Sequence, residues 1–493
     1  MRNVTKLYDR KALIKGCLGI ILTCACMKVT GGIGALLVLP ILLSALNRNR
    51  QEWIFYSLLM ITCLTVTNNN IAPKDFVFAI VARLVYLFLA VVMTLQLTAQ
   101  RSSRQLSSLL WLFVYIVYMA GVAWAGWNPI ISYLKLILFT LVFLSFYSVT
   151  NHVSTRPGVS STILRSVMLS FVAFFIFGSI ALLPFPAIGM MRIDYFILNG
   201  LPIPEGSLFM GMTSHSQTLG PMSAMMGILL LADLLFAIKR WDKFYLALIG
   251  CAMLLIFKSG SRTAMGTFVI GCAFTVLLFM RAHGVGARWR GRALSALMGL
   301  VVVFGLMIAI TPHMREQIVS FIYKARGEKV EKNEQTYERL LSSRQGLIDN
   351  AMDNFRDSPW IGNGFQVSLR YKDWEPDSWK QLLSAPVEKG VWIPALLEEG
   401  GVFGMFLFLM FLLIVVFSFL QWQAHMGLIM MLSLLVCNLG EFTLFSMSSL
   451  GGFLWAMVFT GVALDAQRLK EDRLRRQMAL QGPVTVSAPG YRF

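Results

Sequence analysis

Residues 385–404 read APVEKGVWIPALLEEGGVFG, and this stretch leads from a polar segment into an apolar run that ends near residue 420. Roughly 20 apolar residues suffice to cross a bilayer as a helix, and residues 401–420 contain no charged side chain. Glu388 and Lys389 therefore stand side by side where a long polar loop meets a predicted membrane span.

Similar apolar runs recur along the whole chain, which has 493 residues, 57% of them hydrophobic and only 14% charged. Soluble globular chains are about 25% charged. The composition predicts an all-α polytopic membrane protein with about 12–14 transmembrane helices. The first three spans and the thirteenth are short, which leaves re-entrant or shifted segments open. The candidate spans are residues 11–29, 31–46, 53–67, 77–97, 108–126, 129–149, 165–186, 207–238, 244–258, 263–281, 293–311, 401–420, 426–437 and 447–465.

The distribution of Lys and Arg predicts how these spans are oriented. With both termini in the cytoplasm, the inner segments carry about 24 basic residues and the short outer segments about five. This asymmetry also accounts for the formal net charge of +18, because basic inner loops face anionic lipid. Nucleic-acid binding is therefore not needed to explain the charge.

The spans divide the chain into five predicted parts. They are the scaffold helices 1–206, the helices 207–311 with polar and Arg motifs, an external helical domain 312–400, the last helices 401–465, and a basic cytoplasmic tail 466–493. The seven cysteines all fall in apolar spans, so they are interpreted as small hydrophobic residues and not as a disulfide framework.

Within the external part, EQTYERLLSSRQGLIDNAMDNF (334–355) predicts an amphipathic helix. Arg344 falls on its apolar stripe, where a guanidinium is costly unless an anion meets it. The alternatives are that Arg344 snorkels or pairs with Asp349 or Asp353. SPWIGNGF (358–365) then predicts the helix end at Pro359 and a tight turn at its two glycines, Gly362 and Gly364.

Two cations lie on the side that the orientation rule leaves poor in positive charge. FKSGSRTAMG (257–266) joins spans nine and ten through a predicted turn at Gly260 and its flanking serines, and it carries Lys258 and Arg262. A planar guanidinium can bind phosphate oxygens in a bidentate manner, and an ammonium adds a point charge. The alternative is that both residues only anchor the helices at the membrane interface.

A polar cluster occupies the predicted outer start of span eight. GMTSHSQTLGPMSA (211–224) places His215 and Gln217 where apolar residues are expected to begin. Polar side chains in a membrane segment usually line a cavity, although a lone histidine is more often structural than catalytic.

Together these elements predict a site for an anionic, phosphate-bearing substrate and a hydroxyl that loses its proton. Lys258, Arg262 and Arg344 supply positive charge, which stabilises a departing diphosphate. Glu388 supplies a carboxylate for the proton. No DxD pair, HExxH or Cys/His cluster occurs in the sequence, so neither a metal nor another cofactor is expected.

Four segments of the chain resemble the O-antigen ligase and O-antigen polymerase superfamily of bacterial cell-envelope glycosyltransferases. They are GMTSHSQTLGPMSA, KSGSRTAMG, SSRQGLIDNAMDNFRDSPWIGNGF and LLEEGGVFGMFLF, and the resemblance covers roughly residues 207–465. It implies an inverting, metal-independent transfer of a glycan from an undecaprenyl-diphosphate carrier, outside the membrane, to a glycan or lipid-linked acceptor. It also implies that Arg262 and Arg344 bind the diphosphate, with Lys258 and Arg339 as helpers.

The chain departs from this family at one position. Ligases of this type carry His-Asn eleven and ten residues before the glycine of the final turn, which is Gly401 here, but this chain has Gly390 and Val391. Glu388 is interpreted as the replacement for the histidine, as base or acceptor-orienting residue, with Lys389 near phosphate. The alternative is a local surface ion pair between these two neighbours.

Two other carboxylates, Glu398 and Glu399, are the substitutes for this role, and they are expected nearer the lipid interface. The missing histidine also weakens the inference that lipid A core is the acceptor.

Three function classes remain open from the sequence. A polymerase of an O-antigen-type polysaccharide or exopolysaccharide is favoured, and a ligase that attaches lipopolysaccharide or other surface glycans to lipid or protein is the alternative. A transporter or flippase of a lipid-linked glycan would predict repeats and ionisable residues near mid-bilayer; Arg83 is the main candidate for such a residue. A structural membrane protein would need no polar cluster at the outer face.

Overall fold

The computed structural model describes residues 7–98, 106–156, 158–191, 197–198, 201–202, 208–238, 242–282, 336–367, 390–440, 442–447 and 449–480. Within these ranges, the side chains of residues 96–98, 106–108, 191, 197–198, 201–202, 208, 336–345, 475 and 478–480 are not described. The predicted span 293–311 and the residues Glu388 and Lys389 lie outside the described residues.

The described chain is a bundle of α-helices, as its apolar composition predicts. The helices are α1 Arg10–Thr30, α2 Val38–Asn47, α3 Gln51–Val66, α4 Phe76–Thr98, α5 Leu106–Ala125, α6 Pro129–Thr155, α7 Ser161–Ala181, α8 Pro186–Gly189, α9 Ser216–Asp233, α10 Lys243–Ser259, α11 Arg262–Ala282, α12 Thr336–Asp357, α13 Trp392–Gln421, α14 His425–Asn438 and α15 Leu450–Leu480. A 3₁₀ segment Gly31–Leu37 links α1 to α2, and a π-helical turn Leu234–Ile238 follows α9.

Eight helical segments among the described residues are long and apolar enough to cross a membrane, and α3, α14 and residues 109–125 of α5 form shorter apolar helices. The protein is therefore a multi-pass membrane protein, and the predicted all-α class is confirmed. The most apolar windows of α9 and α15 are each 89% buried inside the protein, whereas that of α13 is 28% buried. Helices α9 and α15 thus form the centre of the bundle, whereas α13 faces the lipid.

The prediction of one span over residues 207–238 was too long at its start. Residues Leu208–Phe209 form strand β4, which pairs antiparallel with β1, Met190–Met191, in the register Met190↔Phe209 and Met191↔Leu208. A second two-residue pair joins β2, Ile197–Leu198, to β3, Leu201–Pro202. The helix begins only at Ser216, because the backbone of residues 212–214 is paired with that of residues 66–68.

Buried ionisable groups connect helices to one another in the predicted cytoplasmic half of the bundle. Arg165 of α7 forms an ion pair with Asp233 of α9, with 2.8 Å between Nε and Oδ2, and the hydroxyl of Tyr245 donates to the same oxygen at 2.7 Å. At α15, Asp465 Oδ2 accepts from the backbone N–H of Gly427 at 3.0 Å. These groups each have a partner within the bundle, as a buried charge requires.

The interpretation of Arg83 as the main buried ionisable residue was wrong. Its side chain is only partly buried, whereas Asp233 and Asp465 are 0% and 1% exposed and Lys135 is 8% exposed. The sequence reasoning overlooked these residues because each interrupts an apolar run only once. All seven cysteines are free thiols, as predicted.

Candidate functional site

The predicted site residues on α9 lie at the helix N-terminus, where the side chain of His215 caps the helix. His215 Nδ1 accepts a hydrogen bond from the backbone N–H of Gln217 at 3.0 Å, and the His215 carbonyl accepts from Thr213 Oγ1 at 2.9 Å. Gln217 is exposed and His215 is partly buried. One ring nitrogen of His215 therefore has a structural role, which orients the imidazole at this end of the bundle.

The loop before this cap is fixed by backbone pairing with the end of α3. Asn68 N–H donates to the Met212 carbonyl at 2.8 Å, and Ser214 N–H donates to the Val66 carbonyl at 2.9 Å. The Asn68 amide donates further to the carbonyls of Ile188 and Gly211 at 2.8 and 3.0 Å. The shape of this loop therefore depends on backbone pairing and on the side chain of Asn68.

The turn between α10 and α11 presents the two predicted cations. Gly260 adopts the left-handed conformation, with φ 67° and ψ 13°, which a glycine accepts without strain. Ser261 Oγ accepts from the N–H of Ala264 at 3.3 Å and thereby caps α11. Lys258 is exposed, and Arg262 is partly buried as the first residue of α11. The tight turn predicted at Gly260 is present.

This turn packs directly against the first turns of α9. A Cβ at Gly220 would lie 2.6 Å from Ser259 Oγ and 2.7 Å from Ser261 Cβ, so only a glycine permits this approach. The structure thus places the helix start of His215 and Gln217 beside the turn of Lys258 and Arg262.

The second half of the site is built around a break in α13. Gly401 has φ 62° and ψ −167°, which interrupts the helix after Gly400. The N–H groups of Val402 and Phe403 would otherwise bond to the carbonyls of Glu398 and Glu399. They donate instead to the carbonyls of Pro359 and Trp360, at 2.9 and 3.3 Å.

The loop that follows α12, residues 358–365, fills this break. The carbonyls of Glu398 and Glu399 accept from the N–H groups of Asn363 and Gly364, at 2.9 and 3.1 Å. The exchange satisfies backbone groups that would be costly to leave unpaired inside a membrane protein. Gly362 and Gly364 both have positive φ, 75° and 123°, which confirms the predicted turn at these glycines.

Side chains complete the joint between α12 and α13. Asn354 Nδ2 donates to Glu398 Oε1 at 2.7 Å, Asn363 Nδ2 donates to the Asn354 carbonyl at 2.7 Å, and the hydroxyl of Tyr118 donates to the Gly400 carbonyl at 2.9 Å. The predicted amphipathic helix is therefore present as α12, and its C-terminal end is fixed to α13.

Arg339 and Arg344 both lie on α12, and the structure does not describe their side chains. One alternative partner considered for Arg344, Asp353, forms an ion pair with Arg356 at 3.1 Å.

The substitute carboxylates Glu398 and Glu399 are buried inside the protein. They are 2% and 0% exposed, because the loop 358–365 and α5 cover this part of α13. Sequence reasoning missed Lys135, whose Nζ donates to the Gln366 carbonyl at 3.1 Å beneath the loop. A lone lysine in the apolar run YLKLIL (133–138) was the available signal for it.

The described residues between α14 and α15, 439–440 and 442–447, contact both halves of the site. Gly440 lies in close contact with the Thr263 side chain, so that a Cβ there would overlap it. Farther along, the ring of Phe445 packs on the rings of Phe365 and Phe408, with centroids 5.1 and 5.2 Å apart. The start of α11 and the loop 358–365 therefore lie on the same end of the bundle.

The arrangement of Arg262 at the start of α11 is suited to binding an anion. Among the residues that the structure describes, no group of three or more His, Cys, Asp or Glu side chains is placed to hold a metal ion. The N-terminus of α11 adds its partial positive charge to that of Arg262. This end of the bundle thus offers cations and a helix dipole at one membrane face.

Residues 246–386 match the family described as O-Antigen ligase. The matched segment contains Lys258, Arg262, Arg339 and Arg344, and it ends two residues before Glu388. No curated protein matches the chain.

Proposed function

We propose that the protein transfers a glycan from an undecaprenyl-diphosphate carrier to a hydroxyl acceptor, on the support of the match of residues 246–386 to the O-antigen ligase family. The transfer takes place on the outer side of the bacterial cytoplasmic membrane, and both termini lie in the cytoplasm. The favoured acceptor is a growing surface polysaccharide, which makes the protein a polymerase.

The single observation that carries the proposal is the position of Arg262. It lies inside the matched segment, at the first turn of α11, beside Lys258 and against the polar start of α9. A guanidinium and an ammonium at a helix N-terminus form a suitable site for phosphate oxygens. Arg339 and Arg344 lie on α12, and we assign Arg344 to the same diphosphate.

In the proposed reaction, the acceptor hydroxyl oxygen attacks the anomeric carbon of the donor. The new carbon–oxygen bond forms as the bond to the diphosphate breaks, so the configuration inverts and undecaprenyl diphosphate leaves with the bonding electrons. Arg262 and Arg344 stabilise the negative charge that grows on the diphosphate. Glu388 accepts the hydroxyl proton, and Lys389 and Lys258 add positive charge near the phosphates.

His215 and Gln217 are assigned to the rim of the donor site. The capping bond fixes the imidazole of His215, and the side chain of Gln217 is exposed at the same helix start. These polar groups suit the hydroxyls of the first sugar of the donor.

The decisive experiment uses the full chain in nanodiscs with an undecaprenyl-diphosphate oligosaccharide from its own host. Products are followed by gel and mass spectrometry over time. A ladder of longer glycans is the expected result and identifies a polymerase, whereas a single addition onto a supplied lipid or protein acceptor identifies the alternative, a ligase.

Movement of the donor across the bilayer without a new glycosidic bond would overturn the proposal in favour of a transporter. The same donor, labelled on its sugar, reports both outcomes in one preparation. The buried carboxylates Asp233 and Asp465 already have partners in the protein, which favours a structural role for them over ion transport.

A further inference from the structure

A second candidate binding site lies at the opposite end of the bundle from Arg262. A partly open cleft separates α6 and α15 from α13. Its lining extends from Phe143 and Trp455 to Ser154 and Trp422. Ser154 is next to the last residue of α6, and Trp422 follows the last residue of α13, so the cleft reaches the predicted cytoplasmic face.

The inner part of the cleft is an apolar wall of aromatic rings. The ring of Phe143 packs edge-on against the rings of Trp455 and Phe459, with centroids 5.1 and 5.2 Å apart. These rings support one another, so the cleft does not depend on a ligand for its shape. Each methylene buried against such a wall contributes about 0.8 kcal/mol, which suits a hydrocarbon chain.

Two polar side chains at the cytoplasmic half of the cleft have atoms without a described partner. Thr150 is 3% exposed and lines the cleft, and its hydroxyl makes no hydrogen bond to any residue that the structure describes. The same holds for the buried Oδ1 of Asn151, the next lining residue.

Neighbouring hydroxyls in the cleft behave differently from that of Thr150. Ser154 Oγ and Ser418 Oγ donate to the carbonyls four residues earlier, both at 2.7 Å. A buried polar atom without a partner is costly, so the Thr150 hydroxyl and the Asn151 Oδ1 point to a ligand that offers both an acceptor and a donor.

Positive charge lies close to the end of α6, the helix whose residue Ser154 lines the cleft. Arg156 follows Ser154 by two residues, and its Nε donates to His152 Nε2 at 3.2 Å. Lys470 Nζ donates to the Arg156 carbonyl at 2.9 Å. In the described part of the chain neither cation is in an ion pair with a carboxylate, in contrast to Arg468, which pairs with Asp465 at 3.2 Å.

We propose that this cleft binds an anionic glycerophospholipid of the cytoplasmic leaflet. One acyl chain lies along the aromatic wall, the Thr150 hydroxyl donates to an ester carbonyl, and Asn151 Oδ1 accepts from a headgroup hydroxyl. The phosphate lies near Arg156 and Lys470. The headgroup that meets all of these requirements is a glycerol phosphate, as in phosphatidylglycerol, and this site does not depend on the proposed transferase activity.

The test uses the full chain, purified in mild detergent and studied by native mass spectrometry with phosphatidylglycerol or phosphatidylcholine of identical acyl chains. Wild-type protein is expected to retain one phosphatidylglycerol and to prefer it over phosphatidylcholine by about tenfold. Ser418→Trp places an indole in the cleft and is expected to abolish retention. Phe417→Trp is the matched control, because Phe417 is 61% exposed and does not line the cleft.

Two smaller changes keep the test decisive if Ser418→Trp does not fold. Thr150→Val keeps the side-chain shape and is expected to weaken retention severalfold, and Arg156→Gln is expected to remove the preference for the anionic lipid. Arg281→Gln, at the exposed end of α11, is the control for charge.

Equal retention of the two lipids, or equal behaviour of the Ser418→Trp and Phe417→Trp variants, would overturn the proposal. Selective retention of a polyprenyl phosphate in place of phosphatidylglycerol would overturn it as well and would assign the cleft to the carrier lipid.

Discussion

Asn354 Nδ2 lies 2.7 Å from Glu398 Oε1, and both residues are almost completely buried. This bond connects α12, which carries Arg339 and Arg344, to α13 just before its break at Gly401. The position of the two arginines relative to the bundle therefore depends on this contact.

Replacing Asn354 by Asp is expected to be strongly destabilising at neutral pH. The change would set two carboxylates within hydrogen-bond distance in a buried site, and an uncompensated buried charge costs about 3–5 kcal/mol. Thermal unfolding in detergent measures the effect, which should shrink at acidic pH because one carboxyl then binds a proton. The control is Asp353→Asn, which removes an exposed ion pair to Arg356 and should cost less than about 1 kcal/mol. Equal unfolding midpoints for the two variants would contradict this role of Asn354.

The approach of Gly362 to the break in α13 excludes any larger residue. A Cβ there would lie 2.5 Å from the carbonyl carbon of Glu399 and 2.6 Å from the nitrogen of Gly400, at a φ of 75°. Gly362→Ala is therefore expected to destabilise the protein by about 2 kcal/mol or more.

Gly346→Ala on α12 is the matched control, since a Cβ at Gly346 meets no atom within 4 Å. In a helix interior this change should stabilise by up to about 1 kcal/mol. Unfolding midpoints of the two variants measure the contrast, and a Gly362→Ala protein as stable as wild type would show that the loop does not fill the break as described.

The sequence predicted the membrane-spanning helices far better than the contact between α13 and the loop that follows α12. Apolar runs of bilayer length identify α4, α6 and α7 without knowledge of the fold, because a span must satisfy its own backbone. The break in α13 could not be predicted in this way, since it is stable only because residues 359–364 supply hydrogen bonds across the chain. The burial of Glu398 follows from the same contact. The only local signal for the break was the pair of glycines at 400–401.

In the candidate site, too, local sequence identified individual residues but not the contacts that bring them together. Lys258 and Arg262 were identified by local charge on the predicted outer side, and Gly260 by its turn chemistry. The contact of Gly220 with Ser259 and Ser261, which sets α9 against this turn, joins residues about 40 positions apart and has no local signal.

The pH dependence of stability is expected to reflect Asp75. Its Oδ2 accepts from the N–H of Gly32 at 2.9 Å and its Oδ1 from that of Phe78 at 2.8 Å, which ties the α1–α2 turn to the start of α4. These backbone hydrogen bonds lower the pKa of the Asp75 carboxyl. Its contribution is therefore complete above the unfolded-state pKa, about 3.9, and is lost as the pH falls through the lower folded-state pKa.

Asp75→Asn isolates this contribution. At neutral pH the variant loses one of the two acceptors, and loss of a helix cap costs about 1 kcal/mol. The difference in unfolding midpoint from wild type is expected to vanish in strong acid. Asp357→Asn, an exposed change at the end of α12, should show no such trend, and a constant difference between Asp75→Asn and wild type would argue against the assignment.

Glu388→Gln is expected to lower kcat by about 10²–10⁴-fold, the usual contribution of a general base, with little change in KM for the donor. Steady-state transfer with a fluorescent donor measures both constants, and Asp357→Asn again serves as the control. Transfer at the wild-type rate would exclude Glu388 as the base, while leaving the roles of Arg262 and Arg344 in place.

The most direct test of the account compares Arg262→Ala with Arg281→Ala, which removes a guanidinium from the opposite end of the same helix α11. The measurement is kcat/KM for glycan transfer from the undecaprenyl-diphosphate donor in nanodiscs. Arg262→Ala is expected to lose about 10²-fold or more, since it removes a group that stabilises the leaving diphosphate, and Arg262→Lys should recover part of the loss. Arg281→Ala should stay close to wild type. Equal activity of the Arg262→Ala and Arg281→Ala proteins would contradict the central claim that Arg262 binds the diphosphate.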